Sequence, residues 1–84
     1  MKVKGIEIPE AVQNAVVDLM KRRHTFTAFA LATEIASHMA CGPLDEVAYR
    51  GADRIVQRER KAGNIRPSDS TRSRSPYWKW VGQQ

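Results

Sequence analysis

With 84 residues and 42% hydrophobic content, the chain supports one small globular domain with a modest core. Its single cysteine, Cys41, excludes an internal disulfide and a thiolate metal cluster and suits a reducing, cytoplasmic setting. The net charge of +5 is unevenly placed: Met1 to Val47 holds five Lys and Arg against six Asp and Glu, Ala48 to Gln84 nine against three. That asymmetry favours a polyanionic partner over a merely solvated basic surface.

Residues 1–8 read as an N-terminal arm with basic residues but no apolar stretch long enough for a leader peptide. No apolar run reaches the about 18 residues a membrane span needs, so a soluble protein without a membrane partner is expected. Residues 9–23 read as the first helix. Pro9 suits the first turn, Glu10 complements the positive end of the helix dipole, and Lys21, Arg22 and Arg23 complement the negative end. Val12, Ala15, Val16, Leu19 and Met20 recur at three- and four-residue steps and form one apolar stripe, with Val17 off it. Packing into the core is the expected role of that stripe, a partner-binding face the alternative.

His24-Thr25-Phe26 is too short for a helix and suits extended backbone. Thr27 has the hydroxyl of an N-cap for a second helix, from about Ala28 to His38 or Met39, that buries Phe29 or Leu31 together with Ala32, Ile35 and Met39. Gly42-Pro43 ends it. A third helix is expected from Pro43 or Leu44, with Asp45 and Glu46 in its first turn. At about 100° per residue, Leu44, Val47, Ala48, Gly51, Ala52, Ile55 and Ala62 fall in one apolar arc. Gly51 costs roughly 1 kcal/mol against Ala inside a helix, which points to a close helix crossing. The opposite face carries Tyr49, Arg50, Asp53, Arg54, Gln57, Arg60 and Lys61.

Gly63 stands where a left-handed residue would cap the third helix. Asn64 to Pro67 then reads as one strand and Tyr77 to Val81 as another, with Trp78 and Trp80 alternating against Tyr77, Lys79 and Val81 and turned to the helices. Between them Ser70, Thr71, Ser73 and Ser75 interleave with Arg72 and Arg74 in a basic tip, and residues 82–84 read as a frayed tail. The fold class expected is therefore mainly α with a small β-hairpin, in one domain over residues 1–84.

The order helix, extended piece, helix, turn, long helix, hairpin resembles the winged helix-turn-helix family over nearly the whole chain. Phe26-Thr27-Ala28-Phe29-Ala30-Leu31-Ala32 is similar to the entry of the family's second helix. Ile55-Val56 with Lys61-Ala62-Gly63-Asn64-Ile65-Arg66 is similar to the end of its third helix and first wing strand, and Tyr77-Trp78-Lys79-Trp80-Val81 to its last strand. Two places depart from the pattern: Glu59, between Arg58 and Arg60, stands where the family has a large apolar residue, and the turn Ala40-Cys41-Gly42-Pro43 is an unusual variant.

The resemblance implies double-stranded DNA as the partner, with the third helix in the major groove and the wing along the backbone. Carried onto this chain, it makes Tyr49, Arg50, Arg54 and Gln57 the base readers, adds Lys61 to the DNA-facing surface, and makes Arg72 and Arg74 the phosphate grip. Asp53 is expected either to pair with Arg50 or Arg54 or to face a cytosine amino group. A small bacterial or phage transcription regulator or recombination accessory factor fits that picture. A protein partner docked on the first helix or the wing is the alternative, and a dimer would have to use the first helix, the N-terminal segment or the DNA. Neither His24 nor His38 has a partner at metal or catalytic spacing, His38 and Cys41 supply only two of the about four ligands of a structural zinc site, and no base can be named for Cys41. No cofactor, metal or enzymatic activity is expected.

Overall fold

The computed structural model describes residues 1–42, 45–68 and 77–82. Among the described residues three helices pack with two small antiparallel sheets: β1 (Lys2–Val3), β2 (Ile6–Glu7), α1 (Glu10–Arg23), β3 (Thr25–Phe26), α2 (Ala28–Met39), α3 (Glu46–Lys61), β4 (Ile65–Pro67) and β5 (Trp78–Trp80). No helix among the described residues is long and apolar enough to cross a membrane.

The N-terminal segment is not an arm. Val3 pairs with Ile6 across Lys4-Gly5, whose φ values of 53° and 79° are both positive, as a two-residue hairpin turn of the primed kind requires. The amide of Ile8 donates to the Met1 carbonyl at 2.7 Å, and Val3 and Ile8 are completely buried. The short β1–β2 hairpin thus covers one flank of α3.

In α1 the buried residues are Val12, Val16 and Met20, with Leu19 partly buried against them. Pro9 is the N-cap and the helix proper starts at Glu10, with its basic last turn as expected. In α2 the hydroxyl of Thr27 accepts from the Ala30 amide at 3.2 Å. Of the two residues that could enter the core, Leu31 does and Phe29 does not; Leu31, Ala32, Ile35 and Ala36 form the buried stripe.

Helix α2 ends at Ala40, which adopts φ 55°, ψ 42°, before Gly42 is reached. The left-handed region costs a residue with a Cβ about 1–2 kcal/mol, and glycine almost nothing. Ala40→Gly is therefore expected to raise stability by about 1 kcal/mol, a gain that a urea titration with unchanged slope would register.

The start of α3 also differs from the sequence reading. The helix begins at Glu46, because Asp45 caps it, its Oδ1 accepting from the Val47 amide at 2.9 Å. Pro43 and Leu44 lie outside the described residues, and with them the expected core role of Leu44. The buried arc is Ala48, Gly51, Ala52, Ile55, Val56 and Glu59, while Ala62, counted in the arc by periodicity, is exposed beyond the helix end. Gly51 does mark a close approach: a Cβ there would lie 2.6 Å from Ile8 Cδ1 and 3.3 Å from Ile35 Cδ1.

Gly63 has φ 81° and turns the chain out of α3 as expected. In the three-stranded sheet, β5 lies between β3 and β4. Phe26 and Pro67 flank Trp78, and Ile65 faces Trp80, so the tryptophan row lies on the core side. Lys21 Nζ sits 5.3 Å from the centre of the Trp80 ring, which ties the end of α1 to β5.

The departure at Glu59 has a polar resolution. The residue is 8% exposed, and its carboxylate accepts from Asn64 Nδ2 at 2.8 Å and from Arg58 Nε at 3.0 Å. The Asn64 amide donates to the Glu59 carbonyl at 3.0 Å, and the Asn64 carbonyl accepts from the amides of Val81 and Gly82 at 2.8 and 3.0 Å. A carboxylate and an asparagine thus fasten the last turn of α3 to both C-terminal strands, where an apolar anchor was expected. Gly82 belongs to this junction rather than to a frayed tail, and a Cβ on it would collide with the Asn64 side chain.

Candidate nucleic-acid interface

The polar face of α3 divides into three strips. On the side towards α2 lie Tyr49 and Asp53, both exposed. Together with Ala28, Phe29 and Ala32 of α2 and with Arg50 they line a shallow groove of about 570 Å³. Phe29, 59% exposed, and Tyr49, 44% exposed, supply its aromatic surface, and the Arg50 guanidinium lies 6.0 Å from the Tyr49 ring centre.

Along the middle strip lie Glu46, Arg50, Gln57 and Lys61. Arg50 Nε reaches back one turn to Glu46 Oε2 at 3.2 Å, and Lys4 Nζ approaches the same oxygen at 3.0 Å. The hydrogen bond from Lys4, then its charge, then Arg50 hold the Glu46 carboxyl below its ordinary pKa. Gln57 Oε1 accepts from both Nε and Nη2 of Arg60, at 3.1 and 2.9 Å. Both lone pairs of that oxygen are thus engaged, and any further donor has to displace the Arg60 fork. Lys61 is exposed at the end of the helix.

The strip towards the N-terminal hairpin contains Arg54 and Arg58. Arg54 Nη1 donates to the Lys2 carbonyl at 2.6 Å, a bond that spends one of its five donors on holding β1. Arg58 Nη1 donates to Gln13 Oε1 at 2.8 Å. The structure thus gathers Tyr49 and Arg50 at one groove and sets Arg54 on the opposite flank. Asp53 makes no ion pair among the described residues, since Arg50 is drawn to Glu46 and Arg54 to β1. The expected pairing of Asp53 with either arginine does not form.

Arg72 and Arg74 lie outside the described residues. The strands that lead to them carry a feature that the sequence reading missed. Lys79 of β5 is directly opposite Arg66 of β4 and Thr25 of β3, on the sheet face away from the tryptophans. Arg66 and Lys79 are in no ion pair with a described residue. Like charges directly opposite each other on a sheet destabilise it, so this doublet is a local cost of the fold. The signal was present in the alternation Trp78-Lys79-Trp80, but the register that brings Arg66 beside Lys79 was not.

Among the described residues, the titratable groups elsewhere offer no reactive cluster. His38 Nε2 lies 2.9 Å from Glu34 Oε2 one turn earlier. Burial, then the charge of Asp45, pushes the Cys41 thiol above its ordinary pKa, the opposite of an activated thiolate. Among the described residues no group of three His, Cys, Asp or Glu is placed to hold a metal ion. No family model, no curated protein and no solved structure matches this chain.

Proposed function

We propose that the protein binds double-stranded DNA as a winged helix-turn-helix module, with α3 in the major groove and the β4–β5 hairpin as a wing along the backbone. The observation that carries this reading is the outward-facing Arg66–Lys79 doublet, which follows directly on a helix with Tyr49, Arg50 and Lys61 exposed. A cost of like-charge repulsion in the unbound sheet is offset when an anionic backbone lies against it. The order of the three helices and the C-terminal strands is consistent with the same geometry.

In this arrangement Arg50 and the remaining donors of Arg54 reach base acceptors such as guanine O6 and N7 or thymine O4, Gln57 reaches adenine, and Tyr49 reaches phosphate or a thymine methyl. Lys61, Arg66 and Lys79 hold phosphates, and Arg72 and Arg74 extend that grip. Asp53 faces a base amino group. A small regulator or recombination accessory protein would work in this way.

The test is an anisotropy titration of a labelled random duplex at several salt concentrations. Binding should weaken steeply with salt, and the double variant Arg66→Ala, Lys79→Ala should flatten the logarithmic slope by about two, at about 0.9 for each phosphate contact. The same variant should melt no lower than the parent, because the repulsion is relieved. Absence of duplex binding at low salt would sink the proposal and leave a protein-docking module as the better reading.

A further inference from the structure

We infer that the groove between α2 and α3 reads the C5-methyl group of thymine, and that Phe29, on the second helix, is a specificity-determining residue beside those of α3. The inference rests on the proposal that this chain binds duplex DNA. It deepens that proposal by naming the base feature that one part of the surface selects.

The argument begins with a side chain in the wrong place for a core. Phe29 is 59% exposed while Leu31, two residues on, is completely buried. Its ring stands in the first turn of α2, and together with Tyr49 from the first turn of α3 it flanks a floor made of Ala28 and Ala32. These four residues offer no donor or acceptor from their side chains except the Tyr49 hydroxyl, and so suit an apolar group. The charged residues of the same groove are Arg50, which donates, and Asp53, which accepts.

A phosphate does not fit this set: Asp53 repels it and Phe29 gives it nothing. An A·T pair fits it fully. In the major groove it presents the thymine methyl and O4 acceptor beside the adenine N6 donor. The methyl meets Phe29 and Tyr49, O4 accepts from Arg50, and the N6 amino group donates to Asp53. A G·C pair also satisfies Arg50 and Asp53, through guanine O6 and the cytosine amino group, but has no methyl for the apolar wall. The aromatic pair is therefore the part of the groove that distinguishes the two.

The test uses the full chain and a duplex recovered by selection from a random pool, prepared once with thymine and once with uracil throughout. Uracil removes the methyl and keeps every hydrogen-bonding group. The parent protein should bind the uracil form about fourfold more weakly for each methyl read, the equivalent of losing one buried methylene-sized contact. Phe29→Ala should show a clearly smaller difference between the two forms, because only Tyr49 then meets the methyl, and Phe29→Leu, which keeps an apolar side chain, should retain the preference. Because Phe29 is exposed, both variants should give the parent's melting curve. Equal binding of the two forms by the parent, or an undiminished preference in Phe29→Ala, would overturn this inference and leave salt-dependent DNA binding intact. No binding to either form at low salt would overturn both.

Discussion

Replacing Gly51 by valine should lower stability by about 2–3 kcal/mol, the upper part of the range for overpacking a close-packed interior. The first added carbon would already sit 2.6 Å from Ile8 Cδ1 and 3.3 Å from Ile35 Cδ1, and both isoleucines are completely buried. Neither can swing into solvent. The valine methyls would have to push the β1–β2 hairpin off α3 on one side or α2 off it on the other. Gly51→Ala sets two terms against each other: removal of a helix-interior glycine favours it by about 1 kcal/mol, and the contact with Ile8 opposes it. Its net effect should be within about 1 kcal/mol of zero, so the step from alanine to valine carries the loss. Urea titrations of the three proteins would show this directly. A Gly51→Val variant as stable as the parent would mean that the hairpin does not seat on α3 as described.

Glu59→Ala is the second substitution with a large expected effect, about 2 kcal/mol. It removes the acceptor for the half-buried Asn64 amide and the partner of Arg58 Nε, and leaves a polar group without its bond where water has little access. For a domain of this size the melting temperature should fall by roughly 8–16 °C. Since the two residues share one junction, the double variant Glu59→Ala, Asn64→Ala should lose less than the sum of the single variants, by about 0.5 kcal/mol or more. Strict additivity in that cycle would show that the Glu59–Asn64 bond contributes nothing. The expected loss is larger than for an exposed ion pair such as Lys4–Glu46, whose contribution water screens.

The three helices were legible because each writes its core face at a helical period and marks its ends. The Thr27 cap, the basic end of α1 and the Gly63 turn needed no tertiary information. What the sequence concealed depends on partners distant along the chain. Val3, Ile6 and Ile8 are too few to separate a two-residue strand pair from an arm, and what seats the hairpin, Val3 and Ile8 against Gly51 and the Arg54 bond to the Lys2 carbonyl, lies far along the chain. Phe29 and Leu31 are equally apolar, and packing alone decides which is buried. Glu59 looked like a defect because an apolar residue was expected there; Asn64, five residues on, turns it into a junction.

The candidate surface was legible to a similar degree. Which α3 residues face outward followed from periodicity, but how they engage one another did not. Arg54 looks identical to Arg50 on a helical projection, yet one holds the Lys2 carbonyl and the other meets Glu46. The Arg66–Lys79 doublet arises from strand register, which a two-residue shift would abolish.

The central place of β5 bears on the order in which the chain can assemble. Thr25 waits for Lys79, and Arg66 waits for the same residue, so neither β3 nor β4 has a sheet neighbour until Trp78–Trp80 arrives. As the protein emerges from a ribosome, its helices can collapse on one another early, because their contacts are local. The sheet cannot form until the last-made strand slides between two that were made before it. Pairings so distant in sequence close slowly, and a nascent chain stopped before Trp78 would carry two unsatisfied strand edges available to another copy.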